Sequence, residues 1–523
     1  MSAFSIRFNG ASLGPIDQPI FRDFSWSVEP FSVWVITGPN GGGKSAVAQA
    51  LAGTLAVTQG DTDGALPAPD SVALISFERQ REVIFDERYN DDSEFTDGGI
   101  DPGTSALDFV LQRGRGPSGL LPRPAEPPRL RELAASMGIL ELLPRGVKYL
   151  STGEIRKVLL CRELLKAPKF LIFDEPYEGL DTKTRALLSA EIERLARAST
   201  TPGSAEAPTQ VLIITDRYEH VPATTTHVLY LDERRVQFAG TRAEFEASSL
   251  LARLGKMSEA ESASLTHALG EALTEPARPP NKNEKDEPSA GEALVALQNV
   301  RVSYSGREVL SGLNLTIRRG EHTLVRGPNG CGKTTLLNLI NGDNPQVYAN
   351  DVTICGMKRG SGESVWDVKK QLGQVSYALH VEYAYRCTSN LIETVLSGFY
   401  DSIGLYREPN YAEIRAAERW LEIVGLIEKR AEPFLQLSYG EQRVALILRA
   451  VIKQPKLLIL DEPCHGLDAR HRGEVLTIAD YIGKNTASTI LYVTHDPAEQ
   501  LECTRQVFEY LPDVGWTLER GTT

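Results

Sequence analysis

The stretch GPNGGGKS occupies residues 38–45, and GPNGCGKT repeats it at residues 327–334. Both match the pattern GxxxxGK[ST], in which a glycine-rich turn joins a strand to a helix. Glycine lets the backbone turn sharply while its amides face an anion, and the helix N-terminus adds a favourable dipole. The two stretches therefore predict two phosphate-binding loops.

Each loop carries side chains with a specific predicted role. Lys44 and Lys333 are expected to reach the β- and γ-phosphates of a nucleotide, and the hydroxyls of Ser45 and Thr334 to bind Mg²⁺. The other predicted nucleotide contacts in the two loops are Gly38, Asn40, Gly41, Gly43, Gly327, Asn329, Gly330 and Gly332.

The chain contains a second, longer segment twice. YLSTGEIRKVLLCRELLKAPKFLIFDEPYEGLD begins at residue 149 and returns at residue 436 as QLSYGEQRVALILRAVIKQPKLLILDEPCHGLD. The loop lysines are 333 − 44 = 289 residues apart, and the aspartates of the two DEP motifs are 461 − 174 = 287 residues apart. A repeat of this length indicates a duplicated domain rather than a solenoid.

Each DEP motif follows four apolar residues that predict a buried strand. Asp174 and Asp461 are expected to hold Mg²⁺ through water, and Glu175 and Glu462 to polarise an attacking water. A single DEP motif is more often a solvated turn. Its occurrence twice, at nearly the same distance after a phosphate loop (174 − 44 = 130 and 461 − 333 = 128 residues), favours the catalytic interpretation.

The pattern of apolar runs predicts an α/β fold in each half. VWVIT, FLIFD and VLIIT in the first half, and TLVR, LLILD and ILYVT in the second, are expected to be buried parallel strands. We predict a first domain over residues 1–250 with an acidic, Pro/Gly-rich insertion at about 86–128. A Pro-, Glu- and Lys-rich linker over residues 251–294 and a second domain over residues 295–523 follow.

The composition is that of a globular protein, with 41% apolar and 24% charged residues. The net charge of −13 disfavours general attraction to nucleic acid. The six cysteines form no CxxC pair, so the sequence predicts neither a zinc site nor a disulfide framework. No targeting peptide and no membrane span is visible, which predicts a cytoplasmic protein that reaches a membrane only through a partner.

The order of phosphate loop, LSxGE, DEP strand and GLD resembles the ATP-binding-cassette (ABC) ATPase family. RGSGESVWDVKK and SGFYDSIGLY resemble, more narrowly, a tandem-cassette ATPase associated with molybdate transport. The resemblance covers nearly the whole chain outside the linker and the insertion. It implies two P-loop NTPase nucleotide-binding domains, each a mainly parallel sheet core with a helical subdomain, that bind ATP and Mg²⁺ and hydrolyse ATP.

In this family two cassettes pair head to tail, and the LSGGQ signature of one closes over the ATP bound to the other. The resemblance assigns this role to Ser151, Gly153, Ser438 and Gly440. Thr152 and Tyr439 replace the middle glycine of the signature, a departure expected to alter packing near the phosphate. Asp181 and Asp468 match the aspartate that crosses the dimer seam.

The two halves differ at the position of a family histidine that follows the fourth strand, contacts the γ-phosphate and helps position the water. ILYVTHDPAEQ has His495 at this position, whereas LIITDRYEH has Asp216. A carboxylate near a γ-phosphate repels it. Asp216 is therefore either a substitution that weakens the first site or only a loop residue.

Two further family features are incomplete in this chain. Tyr304 precedes the second phosphate loop at a distance suited to stacking on adenine, and Leu13 stands at the rough equivalent in the first half. The family glutamine after the third strand binds Mg²⁺ and touches the transporter. LISFERQRE offers only Glu78 and Gln80, and GQVSYALHVEY has no clear match, which disfavours standard coupling to a permease.

We therefore predict two unequal composite sites. The faster site comprises Lys333, Asp461, Glu462 and His495, capped by Ser151 and Gly153. The slower site comprises Lys44, Asp174 and Glu175, capped by Ser438 and Gly440. Three other histidines are isolated in the sequence and are expected at the surface: His380, His465 and His471.

Three functions are compatible with such an ATPase. The first is to power an integral-membrane permease for molybdate or another small solute, which the narrower resemblance favours. The second is to act on the ribosome, which is disfavoured because the linker is short, acidic and rich in proline rather than a long charged helix. The third is to serve as a regulatory nucleotide switch with little turnover, which two intact DEP motifs disfavour. Nucleic acid is not an expected partner.

Overall fold

The structure is a computed structural model. It describes residues 6–63, 68, 71–76, 83, 103–112, 126–150, 152–178, 180, 182–200, 210–254, 265, 267, 291–304, 307–386 and 388–520. The chain divides into two compact units, residues 1–255 (unit 1) and residues 256–523 (unit 2). Most of the predicted linker lies outside the described residues.

Unit 1 contains a six-stranded sheet in the order β5-β6-β7-β3-β8-β9 and a three-stranded antiparallel sheet in the order β2-β1-β4. All neighbours in the larger sheet are parallel except β8 and β9. The strands are β1 Ile6–Leu13, β2 Phe21–Val28, β3 Trp34–Thr37, β4 Val57–Asp63, β5 Val72–Ser76, β6 Phe170–Asp174, β7 Gln210–Ile214, β8 His227–Asp232 and β9 Arg235–Thr241.

One face of the larger sheet in unit 1 is covered by helices and the other by the helix Lys44–Leu51 together with the smaller sheet, so both apolar faces are buried. The α-helices are α1 Lys44–Leu51, α2 Ala106–Val110, α3 Pro128–Ser136, α4 Thr152–Leu165, α5 Thr182–Thr200, α6 Arg242–Glu246 and α7 Leu250–Arg253. Short 3₁₀ helices span Leu140–Leu142, Val147–Tyr149 and Tyr218–His220.

Unit 2 repeats this plan with a six-stranded sheet in the order β15-β16-β17-β12-β18-β19 and an antiparallel sheet in the order β11-β10-β13-β14. In the larger sheet only β18 and β19 pair antiparallel. The strands are β10 Ala293–Tyr304, β11 Arg307–Arg318, β12 Thr323–Arg326, β13 Asp351–Ile354, β14 Met357–Lys358, β15 Leu372–Val375, β16 Leu457–Asp461, β17 Thr489–Thr494, β18 Gln506–Leu511 and β19 Gly515–Arg520.

The helices of unit 2 build a larger helical layer than those of unit 1 over the described residues. The α-helices are α8 Lys333–Asn341, α9 Val365–Lys369, α10 Tyr377–Arg386, α11 Leu391–Leu396, α12 Tyr411–Ile423, α13 Tyr439–Val451 and α14 Ala469–Asn485. Short 3₁₀ helices span Pro345–Ala349, Ser397–Tyr400, Ile427–Lys429 and Phe434–Gln436.

The predicted α/β class and the six predicted strands are confirmed, because each apolar run lies within or overlaps a strand of a large sheet. β6 and β16 have the same burial pattern: four fully buried apolar residues and then a partly exposed aspartate. An unbroken apolar run cannot face water on either side, so both strands occupy the interior of their sheets.

Part of the predicted insertion in unit 1 belongs to the core. Ala106 and Val110 of α2 are buried against α4, and Ser105 forms an isolated β-bridge with Gly146. Unit 2 has the matching bridge between Asn390 and Pro433 at the start of α11. The two unusual tracts on either side, residues 84–102 and 113–125, lie outside the described residues.

Parallel register brings the carboxyl ends of three strands together in each unit. In unit 2, Arg326 at the end of β12 pairs with Thr494 of β17, and Asp461 of β16 pairs with Val493. The phosphate loop, the DEP motif and the residue after β17 therefore emerge at one sheet edge, where ligands bind in open α/β sheets. Within the described residues, no helix is both long and apolar enough to cross a membrane.

Candidate functional site

In unit 2 the phosphate loop runs from the end of β12 to the start of α8. Gly330 and Gly332 have φ values of +81° and +102°, a left-handed conformation that favours glycine. Lys333 is buried, and its Nζ donates to the carbonyl oxygens of Gly327 and Pro328 at 2.7 and 3.1 Å. The ammonium group therefore lies at the loop itself, as an anion-binding role requires.

Unit 1 builds the same loop between β3 and α1. Lys44 Nζ donates to the carbonyl oxygens of Gly38 and Pro39 at 2.7 and 3.2 Å. A Cβ atom at Gly38 would lie 1.9 Å from the carbonyl oxygen of Leu231, so only glycine fits there. Gly41 has a φ of +80° and open space around it, which leaves room for a ligand.

Each unit also presents one hydroxyl and one carboxylate for a metal. Ser45 and Thr334 lie exposed in the first turns of α1 and α8, and Asp174 and Asp461 end β6 and β16. Burial and the charge of the adjacent Glu462 raise the pKa of Asp461 to about 7, although nearby cations oppose the shift. These oxygen donors fit Mg²⁺, which proteins usually bind through one or two carboxylates together with substrate phosphates.

Glu462 and His495 form a close pair in unit 2. Nδ1 of His495 lies 2.8 Å from Oε1 of Glu462, and both side chains are mostly buried. Burial opposes the charge on Glu462, but the charge and hydrogen bond of His495, with smaller help from His465 and Lys333, lower its pKa to about 2. Burial also opposes the charge on His495, yet Glu462 raises the pKa of the imidazole. Glu462 is therefore ionised at neutral pH, and its charge favours the protonated form of His495.

Glu175 has a different neighbour in unit 1. Its carboxylate accepts hydrogen bonds from the backbone N–H of Asp216 at 2.9 Å and from the hydroxyl of Thr215 at 3.2 Å. Burial and then the charge of Asp216 raise the pKa of Glu175 well above its usual range, and Asp174 and Glu178 add to this shift. Lys44 opposes the shift but does not reverse it.

The two glutamates share an unusual backbone. Glu175 and Glu462 have φ values of +49° and +46°, which a side chain other than glycine rarely adopts. Their N–H groups donate to the carbonyl oxygens of Ile214 and Val493 at 2.9 and 2.8 Å, which ties each turn to the neighbouring strand. Strained backbone of this kind persists where surrounding contacts impose it, and it concentrates at functional sites.

The signature of unit 2, residues 438–440, caps α13. The hydroxyl of Ser438 accepts from the N–H of Glu441, and the Glu441 carboxylate accepts from the N–H of Ser438 at 2.9 Å. A Cβ atom at Gly440 would lie 2.4 Å from the ring of His471, so this position also requires glycine. The predicted serine thus stands at a helix N-terminus, where backbone dipoles favour an anion.

The signature of unit 1 is only partly described. Gly153 lies near the start of α4, where a Cβ atom would approach Thr184 to 2.9 Å. Ser151 and Asp181 lie outside the described residues. Gly153 and Gly440 therefore both pack against the helix that follows the DEP motif of their own unit.

The residue at the predicted adenine contact differs between the two units. Tyr304 at the end of β10 is 48% exposed, and its hydroxyl accepts from Nδ2 of Asn344 at 3.0 Å. Leu13 in unit 1 is fully buried, so its side chain is not available for a base. After the third strand, unit 2 continues with Ser376 and Tyr377, while Glu78 and Gln80 of unit 1 lie outside the described residues.

Sequence reasoning missed two buried arginines. Arg443 of α13 is fully buried and donates to the carbonyl oxygens of Ser376 and His465, both at 3.4 Å. Arg156 of α4 donates to the carbonyl oxygens of Pro176 and Glu178. Each arginine ties the signature helix to the turn after its own DEP motif. The repeat offset, 443 − 156 = 287, was the signal that could have revealed them.

Replacing Arg443 by methionine is expected to destabilise unit 2 by about 2 kcal/mol, since buried carbonyl groups lose a charged donor. A loss of this size lowers the midpoint of thermal unfolding by about 4–8 °C in a domain of this size. Differential scanning calorimetry of the full chain measures this midpoint. Arg415→Met, at an exposed position on α12, is the control and is expected to leave the midpoint unchanged.

An ion pair between a histidine and an aspartate lies at the start of α14. Nδ1 of His471 lies 2.8 Å from Oδ1 of Asp468, which also caps the helix by accepting from the His471 N–H. Burial opposes the charge on His471, but the hydrogen bond and charge of Asp468 raise its pKa. The pair therefore contributes fully below about pH 6.5, the ordinary histidine pKa, and is lost as pH rises through the raised value.

His471→Gln is accordingly expected to cost about 1.5 kcal/mol of unfolding free energy at pH 6, the size of a charge-assisted hydrogen bond. The cost is expected to shrink toward pH 9, as the pH rises through the raised pKa of the wild-type imidazole. Urea unfolding of both proteins at several pH values measures this difference. An equal cost at pH 6 and pH 9 would contradict the raised pKa.

Comparison with known proteins agrees with this geometry. A sequence profile of the ABC transporter family matches residues 21–178 and 310–465, one segment in each unit. The chain belongs to the ATP-binding-cassette family and is an ATPase with two tandem cassettes. It is similar to the ABC transporter ATP-binding protein ModF of Escherichia coli K12, with 36% identity over 490 residues that cover 92% of each chain.

Three further similarities extend over most of the chain at lower identity. An uncharacterised ABC transporter ATP-binding protein of Schizosaccharomyces pombe is 27% identical over 485 residues and 90% of each chain. Among solved structures, ribosome-bound archaeal Pelota and ABCE1 gives a TM-score of 0.54 at 19% identity, covering 92% of this chain and 73% of that one. A complex of archaeal ABCE1 with the ribosomal stalk protein aP1 gives 0.50 at 20% identity, covering 92% and 83%. At these identities the likeness shows the fold alone.

Proposed function

We propose that this ATPase drives conformational change in an ABC transporter permease for a small solute such as molybdate. The similarity to ModF supports this function, because it extends over 92% of both chains and that relative is named as the ATP-binding protein of an ABC transporter. The pairing of the two cassettes within the chain, each completing the other's nucleotide site, belongs to the proposal and rests on the family resemblance.

We further propose that the nucleotide bound to unit 2 is the one hydrolysed rapidly. The contact that supports this assignment is the 2.8 Å pair of Glu462 and His495. An ionised carboxylate accepts a hydrogen bond from water and holds it in line with the γ-phosphate. His495 keeps Glu462 ionised and fixes its orientation. In unit 1 the raised pKa of Glu175 favours the neutral acid, which is a poor acceptor for that water.

The remaining residues of unit 2 bind and orient the nucleotide. Lys333 and the loop amides would hold the β- and γ-phosphates, and Tyr304 would stack on the base. Thr334 and Asp461 would hold Mg²⁺, which neutralises phosphate charge when bound. ATP would favour the closed arrangement of the cassettes and product release the open one, since a ligand shifts a conformational equilibrium only through its differential affinity.

Affinity capture from detergent-solubilised membranes tests the partner. Glu462→Gln, expected to hold MgATP without turnover, serves as bait, and Lys333→Ala, which weakens phosphate binding, is the matched control. The expected result is enrichment of a multi-span protein by the first bait. That protein, reconstituted in vesicles, should raise the ATPase activity of the wild-type chain several-fold. Recovery of ribosomal proteins instead would overturn the permease and favour a ribosomal role.

A further inference from the structure

Tyr439 stands in the signature of unit 2 where the family has glycine, and its ring lies within a set of specific contacts. The ring stacks on His380 of α10, with centroids 4.6 Å apart and planes at 17°. On another side it lies against Gly466, where a Cβ atom would approach the Tyr439 ring to 2.4 Å. Where the family has a glycine without a side chain, this chain therefore has a tyrosine ring that contacts α10 and the segment around Gly466.

His380 is held in place for this stacking. The residue is 2% exposed, so the prediction of a surface position was wrong. Its Nε2 lies 2.7 Å from Oε1 of Gln442, whose amide group donates to the carbonyl oxygen of Leu437. The ring of Phe434 meets it edge to face at 6.0 Å. The imidazole is thus fixed by residues on both sides of the signature.

Gly466 belongs to the segment that carries Glu462. We call residues 462–468 the catalytic loop. The N–H of His465 donates to the carbonyl oxygen of Glu462 at 3.1 Å, and the His465 ring meets Tyr377 of α10 edge to face at 5.3 Å. Arg443 also links the two segments, since it donates to the hydroxyl of Tyr439 at 3.3 Å and to the His465 carbonyl.

We propose that Tyr439 is a positioning residue that holds the signature turn, the catalytic loop and α10 in one arrangement. Packed aromatic rings exclude water and prefer defined offset geometries, so the three segments move together. This inference rests on the proposed function, in which the catalytic loop orients Glu462 for hydrolysis. Helix α10 follows β15 after Ser376, so its contacts link the carboxyl end of that strand to the catalytic loop.

The test compares Tyr439→Ala with Tyr439→Phe in the full chain. Loss of the ring is expected to lower kcat about ten-fold while KM for ATP changes less than two-fold, because loop orientation rather than nucleotide binding is disturbed. Tyr439→Phe keeps the stacking and should stay within two-fold of wild type. Tyr406→Ala, at a tyrosine of unit 2 that is 80% exposed, is the matched control.

A second substitution tests whether the loss of kcat in Tyr439→Ala depends on the contact with His380. His380→Ala should lower kcat in the same direction, and the double variant should be no worse than Tyr439→Ala, since the two residues act through one contact. Full additivity of the two losses would overturn the proposal. So would a Tyr439→Phe variant as slow as Tyr439→Ala, which would place the role in the hydroxyl.

Hydrogen exchange gives a readout that does not depend on ATP turnover. In Tyr439→Ala without nucleotide, the amides of residues 462–468 should exchange at least ten-fold faster, whereas β16 and β17 stay protected and show that the sheet is intact. Unchanged exchange in this loop would overturn the positioning role. If the wild-type chain had no ATPase activity, the proposed function would be wrong. The exchange experiment would still test whether Tyr439 positions the catalytic loop, because it does not require ATP turnover.

Discussion

Glu462→Gln is expected to lower kcat for ATP hydrolysis by at least about 100-fold, the usual effect of removing a group that acts on the attacking nucleophile. Glu175→Gln should cost less than about three-fold. The two residues share the same strand end and the same left-handed backbone. They differ in their neighbours, since His495 keeps Glu462 ionised whereas burial and then the charge of Asp216 favour the neutral form of Glu175.

Steady-state phosphate release at saturating MgATP measures both variants. The substitutions are isosteric and occupy matching positions of the two units, so each is the control for the other. Loss of activity in Glu175→Gln with retention in Glu462→Gln would show that the fast and slow sites are assigned in reverse. Equal losses would show that both sites hydrolyse ATP at comparable rates.

His495→Asp is expected to reduce kcat by about 50-fold or more, because it places a second carboxylate beside Glu462 as in unit 1. Like charges at this distance raise the pKa of one carboxyl group and favour its neutral form. The variant also loses a cation that faces the γ-phosphate in the proposed site. KM for ATP should change much less than kcat, since the phosphate loop and Tyr304 are unaltered.

The reciprocal substitution is a stricter test of the same idea. Asp216→His, introduced into the Glu462→Gln protein, should give unit 1 the pair that unit 2 has and raise the residual ATPase activity about ten-fold. Adding Glu175→Gln should remove this gain. If Asp216→His gives no gain, then the histidine alone does not explain the difference between the units.

Several features of the site were predictable because they depend on short stretches of chain. A glycine-rich turn between a strand and a helix needs glycine at positions of positive φ, and Gly332 and Gly43 have that backbone. An unbroken apolar run before an aspartate predicts an interior strand, and β6 and β16 confirm it. The assigned roles of the glycines, lysines and carboxylates in ATP binding stay predictions.

Other features could not be read from local patterns. His380 is separated by 62 residues of chain from Gln442, its hydrogen-bond partner, so no local pattern reveals that contact. The burial of Arg443 is not predictable from the sequence, because a charged residue in a helix is usually solvated, whereas here its guanidinium group donates to the carbonyl oxygens of two other segments. Both residues owe their position to contacts between elements distant in the chain.

The sequence by itself determined that the chain contains two copies of a nucleotide-binding domain, because each motif encodes its own backbone conformation and its own strand or helix. Only the tertiary structure decided which side chains meet. His495 lies 33 residues after Glu462, and Asp216 lies 41 after Glu175. Adjacent parallel strands bring each pair to one sheet edge. The ionisation of each glutamate then depends on the charge that this pairing places beside it, a property of neighbours in space rather than in sequence.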